Sequence, residues 1–66
     1  MDNGDIRKAR EIGRKAAQDG ETRWAMDSFD LMEIAKKYSK IDDYTMITKA
    51  YYFGFDKEKQ ENDDED

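Results

Sequence analysis

The 66-residue sequence contains no cysteine, no histidine and no proline. Without cysteine and histidine, the chain can form neither a disulfide nor an ordinary zinc site, and it lacks the residues that most often serve enzymes as general base and strong nucleophile. No apolar run approaches the roughly 20 residues that span a bilayer. We therefore expect a cytoplasmic protein that is not an enzyme, holds no cofactor or metal, and is stabilised by helix packing or self-association.

Charge is distributed unevenly along the chain. The net charge is −5, and all five excess negative charges lie in residues 61–66, ENDDED, so that residues 1–60 are neutral as a whole. A segment without apolar residues has nothing to anchor it to a core. The sequence therefore predicts one domain over residues 1–60 and an acidic disordered tail over residues 61–66, in which Asp63 and Asp64 are candidate charged contacts.

The spacing of apolar residues predicts an all-α chain, because it follows the 3.6-residue period of a helix. We expect a three-helix bundle with short loops and helices at about residues 5–19, 22–38 and 42–59. Helix 2 is predicted to turn a broad face, including Trp24 and Leu31, toward the core, with Phe29 at its edge.

Helix 1 carries recognisable signals at both ends and in its middle. Asp5 is the candidate N-cap, and Gly20 is the candidate left-handed residue that ends the helix. Gly13 lies in the helix interior, where glycine costs about 1 kcal/mol relative to alanine. Its presence predicts that helix 3 approaches helix 1 closely at this position.

The segment Tyr44–Phe55, YTMITKAYYFGF, is apolar over most of the circumference of a helix. A surface helix in a monomer needs an apolar stripe of somewhat more than about 100°. The inward face is predicted to contain Tyr44, Ile47, Ala50, Tyr51, Gly54 and Phe55. Met46, Tyr52 and Phe53 lie beyond this face, and exposed aromatic and methionine side chains are typical of contact surfaces. These three residues are our candidate partner-binding site, for another protein or for a second copy of the chain.

Arg7, Arg10 and Arg14 share one side of helix 1 and are candidate charged contacts. Arginine suits the recognition of carboxylate and phosphate groups. The arginine face can be a solvated helix surface, a contact for an acidic protein, or a nucleic-acid contact whose affinity falls with added salt. A helix-turn-helix interpretation is disfavoured, because Asp42 and Asp43 would lie at the N-terminus of the recognition helix and repel phosphate.

Asp27, Asp30 and Glu33 lie three residues apart on predicted helix 2. At about 100° per residue, their side chains form an oblique row and do not converge. We interpret them as a solvated face that pairs with nearby lysines, with weak Mg²⁺ or Ca²⁺ binding as the alternative.

The runs AREIGRKAA (residues 9–17) and KAYYFGFDKEK (residues 49–59) resemble small helical proteins of unknown function that are carried by bacterial phages and mobile elements. Such proteins include anti-CRISPR inhibitors of host defence, which dock on a larger enzyme. The resemblance implies an inhibitor whose partner is a protein, including nucleic-acid-binding enzymes, and it assigns no individual residue. Our hypothesis is therefore a small helical protein that acts by protein–protein contact. The alternative is a small DNA-binding or regulatory protein that uses the arginine face of helix 1.

Overall fold

The computed structural model describes residues 3–63, with side chains through residue 61. This part of the chain contains three α-helices and no strand, and the helices are α1 (Asn3–Gln18), α2 (Phe29–Ala35) and α3 (Ile41–Asp63). A single 3₁₀ turn, Ala25–Asp27, lies between α1 and α2. The prediction of an all-α chain with three helices is confirmed.

The helices α1 and α3 lie side by side and run in the same direction. Arg10 of α1 is in backbone contact with Gly54 of α3. Two turns further along α1, Nε2 of Gln18 donates a hydrogen bond to Oε1 of Glu58 at 3.0 Å. Later residues of α1 therefore meet later residues of α3. This long contact organises the rest of the chain.

The core lies between α1 and α3 and is closed by α2. The side of α1 that faces it carries small residues, whereas α2 and α3 supply the large ones. The buried apolar residues are Ala9, Ala16, Ala17, Ala25, Leu31, Ile34, Ala35, Ile47, Ala50, Tyr51 and Phe55. Gly54 is also buried and Tyr44 is half-buried, so the predicted inward face of helix 3 is confirmed.

The C-terminus of α1 follows its prediction. Gly20 has a φ of +74°, and its N–H donates to the carbonyl of Ala17 at 3.2 Å. The next N–H, of Glu21, donates to the carbonyl of Ala16 at 2.9 Å. These two bonds form a Schellman motif, which satisfies carbonyls that would otherwise lack a partner at the helix end.

The N-terminus of α1 differs from its prediction. The helix begins at Asn3, so the prediction that Asp5 is the N-cap is wrong. The Asp5 carboxylate is buried in the first turn. It accepts hydrogen bonds from the Tyr38 hydroxyl and, at 3.5 Å, from Nζ of Lys37. Asp5 therefore ties the start of α1 to the residues that follow α2, which shows that α2 runs antiparallel to α1.

The prediction of one continuous helix over residues 22–38 is wrong. The structure has only the 3₁₀ turn and the seven-residue α2 in this range. The helix is interrupted at Ser28, whose extended backbone (φ −85°, ψ 111°) and side chain form the N-cap of α2, with Oγ accepting from the Leu31 N–H at 3.3 Å. A hydroxyl that bonds the backbone locally favours a new helix start over continuation. As a result Trp24, which was predicted to pack inward, and Phe29, which was predicted at the edge of that face, are both exposed.

The helix α3 is longer than predicted at both ends. It begins at Ile41 and continues to Asp63, past the predicted end at residue 59. Residues 61–63, which were assigned to the tail, are thus helical. Residues 64–66 lie outside the described residues.

Candidate functional site

Large apolar side chains are exposed in two parts of the structure. Their exposed fractions are 59% for Trp24, 61% for Met26, 74% for Phe29, 81% for Ile41, 48% for Met46 and 53% for Phe53. The first three lie in and beside the 3₁₀ turn, and the other three lie on α3.

The segment that carries Trp24, Met26 and Phe29 is fixed to α3 by polar contacts. The Tyr51 hydroxyl donates to the carbonyl of Thr22 at 3.0 Å. The Arg23 guanidinium donates from Nε and one terminal nitrogen to the two carboxylate oxygens of Asp56, both at 2.8 Å. Two-point binding of this kind fixes orientation as well as distance.

The same segment is anchored by one buried side chain. Ala25 is almost fully buried between two exposed neighbours, Trp24 and Met26. The N–H groups of Asp27 and Ser28 close the turn by donating to the carbonyls of Trp24 and Ala25, both at 3.0 Å. The exposed side chains are therefore held outward by a fixed backbone, which reduces the ordering cost of binding.

Three acidic residues lie near Phe29 of the first group, and Lys15 shares one hollow with Glu21 and Asp30. A second open hollow, beside Phe29, is lined by Glu21, Thr22, Asp27, Ser28, Phe29, Asp30 and Tyr51. Among these described residues there are three carboxylates and no basic side chain. Phe29 also borders an apolar groove with Met32, Tyr38 and Tyr44. We call Trp24, Met26, Phe29, Glu21, Asp27 and Asp30 the acidic patch.

The three candidate residues of helix 3 do not share one surface. Met46 and Phe53 lie two turns apart on one exposed side of α3. Tyr52 is half-buried, with the Arg23 guanidinium 4.6 Å from its ring centroid and the Tyr51 ring edge-on at 5.8 Å. The structure thus groups Met46 with Phe53 and uses Tyr52 to hold the segment around Arg23.

Three basic residues lie near Met46 and Phe53, although Arg10 and Lys57 share a groove with Glu11, Glu58 and Glu61. The Arg10 guanidinium lies 5.1 Å and Lys57 Nζ lies 5.9 Å from the centroid of the Phe53 ring. Lys49 is exposed on α3 between Met46 and Phe53. Asp42, one turn before Met46, is the acidic residue nearest to Met46 along the same side of the helix. We call Met46, Phe53, Arg10, Lys49 and Lys57 the basic patch.

The predicted arginine face is exposed, but its charge is partly balanced. Arg7, Arg10 and Arg14 are all exposed on α1. Arg10 and Arg14 line a groove between α1 and α3, together with Glu11, Gly54, Lys57, Glu58 and Glu61. This groove carries three basic and three acidic side chains. The side chain of Asp63 and all of Asp64, the candidate tail contacts, lie outside the described residues.

The perturbed ionisable groups are explained by contacts within the fold. The hydrogen bond from Arg23 lowers the pKa of the Asp56 carboxyl, and the hydrogen bond from Tyr38 lowers the pKa of Asp5. Burial raises the pKa of the Tyr51 hydroxyl. Each of these groups connects two segments of the chain.

Asp27 lies in the 3₁₀ turn, whereas Asp30 and Glu33 lie on α2. Among the described residues these carboxylates do not form a group that could hold a metal ion. Glu33 instead forms an ion pair with Lys36 at 2.6 Å, three residues further along. This pairing is the kind expected of a solvated helix face.

Sequence reasoning missed the acidic patch. Trp24 was expected on the inward face and Phe29 at its edge, because their spacing continues the helical pattern of Leu31 and Ala35. The signal that could have identified them is Ser28 followed by Asp30, since a capping hydroxyl with an acid in the first turn marks a helix start.

None of the helices within residues 3–63 combines the length and apolar character needed to cross a bilayer. No known protein family matches the chain, and neither a curated protein nor a solved structure is significantly similar to it.

Proposed function

We propose that this chain acts by binding another protein through its exposed apolar side chains. The observation that carries the proposal is the exposure of six large apolar side chains among residues 3–61. Scattered apolar residues are normal on protein surfaces, but clusters with a charged rim are typical of interfaces. Trp24, Met26 and Phe29 are all exposed within six residues of chain.

We propose that this contact inhibits a larger enzyme in the cytoplasm. This part of the proposal is supported by the resemblance of residues 9–17 and 49–59 to small phage and mobile-element proteins. An inhibitor that blocks a surface needs no catalytic group of its own, which suits a chain without cysteine or histidine.

The alternative is a small DNA-binding or regulatory protein that uses Arg7, Arg10 and Arg14. The exposure of all three supports it. One observation counts against it. The groove lined by Arg10 and Arg14 also contains Glu11, Glu58 and Glu61, and these carboxylates repel phosphate.

Capture from an extract of the source cells tests the two functions against each other. Immobilised wild-type chain should retain a protein, and the double substitution Phe29→Ser with Met46→Ser should lose it. The matched control, Arg7→Ala with Arg14→Ala, should retain it. If the arginine variant loses the bound material, and that material is nucleic acid released by moderate salt, the alternative is correct.

The acidic tail is a further contribution to the proposed contact, through Asp63 and Asp64. Deleting residues 61–66 distinguishes two roles for it. Weaker binding of the captured protein indicates that the tail contacts a basic partner. Stronger binding of a polyanion such as heparin indicates that the tail covers the arginines of α1.

A further inference from the structure

Residues 22–27 lie between α1 and α2 and bury very little of their own surface. Five of the six side chains are exposed, and Ala25 is the one that is buried. We call residues 22–27 the strap. Segments with few buried apolar contacts are the ones that open without unfolding the whole protein. From the way the strap is attached, we propose that it opens away from α3 as a unit, while the three helices stay folded, and thereby uncovers Tyr51.

Neither neighbouring helix depends on the strap to close its end. The Schellman motif of α1 is complete at Glu21. The N-cap of α2 is the Ser28 hydroxyl, which accepts from the Leu31 N–H at 3.3 Å. Gly20 has a positive φ, and a Cβ atom there would meet no atom within 4 Å, so the chain is unobstructed where it leaves α1. The strap can therefore separate from α3 without unwinding α1 or α2.

The polar contacts that hold the strap lead to one short stretch of α3, residues 51–56. The Tyr51 hydroxyl donates to the carbonyl of Thr22 at 3.0 Å. The Arg23 guanidinium donates to both carboxylate oxygens of Asp56 at 2.8 Å, and it lies 4.6 Å from the centroid of the Tyr52 ring. Because two adjacent residues of the strap meet one surface of α3, we expect these contacts to form and break together. The ion pair is exposed on both sides, so solvent weakens it.

Opening changes the surface that the protein presents. Tyr51 is 1% exposed when the strap is closed, and its ring lies 5.8 Å from that of Tyr52 and 6.1 Å from that of Phe55, between centroids. Opening uncovers this aromatic group. It also removes the fixed backbone that holds Trp24 and Met26 outward, so the closed strap is the form suited to binding. That consequence rests on the proposed function, whereas the opening itself does not.

Hydrogen exchange of the wild-type chain, followed by NMR at increasing urea, is the first test. The Asp27 and Ser28 N–H groups donate to carbonyls of the strap and therefore report its opening. Corrected for intrinsic rates, they should exchange at least tenfold faster than the N–H groups of Ile47 and Tyr51 in the core. Their rates should hardly change in dilute urea, because a small opening exposes little surface, whereas the core rates should rise steeply.

Two results of this exchange measurement overturn the proposal. Equal protection and equal urea dependence for the strap and the core would show that the strap opens only when the whole chain unfolds. Exchange of Asp27 and Ser28 at the rates of an unstructured peptide would show that there is no closed strap.

Tyr51→Phe tests whether contact with α3 keeps the strap closed. The substitution removes the hydroxyl that bonds Thr22 and keeps the ring. Exchange of the Asp27 and Ser28 N–H groups should become about two- to tenfold faster, although both groups bond within the strap. Tyr44→Phe is the matched control, since it removes a hydroxyl of α3 that bonds elsewhere, and exchange at these two positions should be unchanged. Unchanged exchange in Tyr51→Phe would show that the turn frays independently of α3, which overturns the proposal.

Nitration by tetranitromethane measures the exposure of Tyr51 directly, because the reagent must reach the ring. Arg23→Ala should raise the initial rate of nitration at Tyr51 relative to the half-buried Tyr44 of the same sample. Lys36→Ala is the matched control, since it removes an exposed ion pair, with Glu33, that does not include the strap, and it should leave this ratio at the wild-type value. Circular dichroism verifies that each variant keeps its helices. A wild-type ratio in folded Arg23→Ala overturns the proposal.

The proposed function is judged separately, by the capture experiment. Tyr51→Phe should retain less of the captured protein than wild type, because its strap is open more often. Undiminished capture by a variant whose exchange shows the extra opening overturns the role of the strap in binding. A chain that captures no protein but shows the expected exchange and nitration overturns the proposed function and supports the opening of the strap.

Discussion

Gly13 of α1 lies so close to the Tyr51 carbonyl of α3 that a Cβ atom at Gly13 would be 2.0 Å from the carbonyl oxygen. The relationship is reciprocal. A Cβ atom at Gly54 of α3 would be 2.1 Å from the carbonyl oxygen of Arg10 in α1. Both obstacles are backbone atoms, which cannot move without moving a helix. The two glycines therefore set the separation of α1 and α3, and with it the positions of both patches.

Gly13→Ala and Gly54→Ala should each destabilise the fold, although alanine has the higher helix propensity. Propensity alone predicts a gain of about 1 kcal/mol, whereas overpacking of a tight contact costs about 1–3 kcal/mol or more. We expect each variant to lose about 2 kcal/mol, which lowers the melting temperature by roughly 10 °C for a domain of this size. Thermal unfolding followed by circular dichroism measures this.

The control for the glycine prediction is Gly4→Ala. Gly4 is exposed in the first turn of α1, so alanine should leave stability unchanged or raise it by up to about 1 kcal/mol. If Gly13→Ala raises the melting temperature as Gly4→Ala does, the helices do not approach as closely as described.

Local signals in the sequence predicted the parts of the fold that depend on one residue. Gly20 has no competing role, and it ends α1 as expected. Gly13 was correctly assigned to a close helix contact, since no other reason explains glycine inside a helix. Ser28 was misjudged because the apolar spacing around it continues the helical period on both sides. Periodicity cannot show that a capping hydroxyl interrupts a helix, and the acidic patch was missed for that reason.

Only part of the candidate site on helix 3 was predicted correctly, because the exposure of each side chain depends on which neighbouring segments cover it. Met46 and Phe53 are exposed because α1 and α2 cover only the opposite side of α3. Tyr52 was grouped with them from its position on the helix alone. Its actual partner, Arg23, belongs to an irregular segment whose path depends on the buried Ala25 and on Asp56. Contacts from such a segment cannot be read from helical spacing.

Phe55→Ala and Phe53→Ala should have very different effects, although the two residues lie on one helix two positions apart. Phe55 is 5% exposed in the core, and emptying such a site costs about 3–5 kcal/mol. This is comparable to the whole stability expected of so small a domain, so Phe55→Ala should be largely unfolded at 25 °C. Phe53→Ala loses the contacts with Arg10 and Lys57, which are worth about 0.5–1 kcal/mol at an exposed site.

Urea unfolding of the two phenylalanine variants provides the comparison, with Phe55→Leu as a milder variant that keeps a measurable transition. Phe53→Ala should shift the midpoint only slightly. An equal loss of stability at both positions would place Phe53 in the core and remove it from the basic patch.

Arg23→Ala should lower the urea midpoint of unfolding only slightly. The ion pair with Asp56 is exposed on both sides, so solvent weakens both this pair and the contact with the Tyr52 ring. Arg23→Lys keeps the charge but cannot bind both carboxylate oxygens, and should recover less than half of the loss.

A double-mutant cycle of Arg23→Ala with Asp56→Asn isolates the ion pair by urea unfolding. We expect a favourable coupling free energy at low salt that shrinks in 1 M NaCl. A coupling near zero at low salt would show that the ion pair with Asp56 does not stabilise the segment that carries Trp24.

Asp5→Asn should destabilise the fold at neutral pH and have less effect in acid. The hydrogen bond from the Tyr38 hydroxyl, aided by the Lys37 charge and opposed by burial, lowers the pKa of Asp5 below its ordinary value of 3.8. The unfolded chain therefore binds a proton more readily than the folded chain. The stabilisation by Asp5 is fully present above that ordinary pKa and is lost as the pH falls through the lowered value.

Melting temperatures at pH 7, 5, 4 and 3 measure this pH dependence. The difference between wild type and Asp5→Asn should be constant from pH 7 to 5 and should narrow below about pH 4. Tyr38→Phe removes the donating hydroxyl. The difference in melting temperature between wild type and Tyr38→Phe should therefore also narrow below about pH 4. Tyr44→Phe is the matched control, because the Tyr44 hydroxyl contacts the sulfur of Met32 at 3.9 Å and has no hydrogen bond to a carboxylate among the described residues. Its effect on the melting temperature should not change over this pH range, and a parallel decline in both tyrosine variants would contradict the assignment to Asp5.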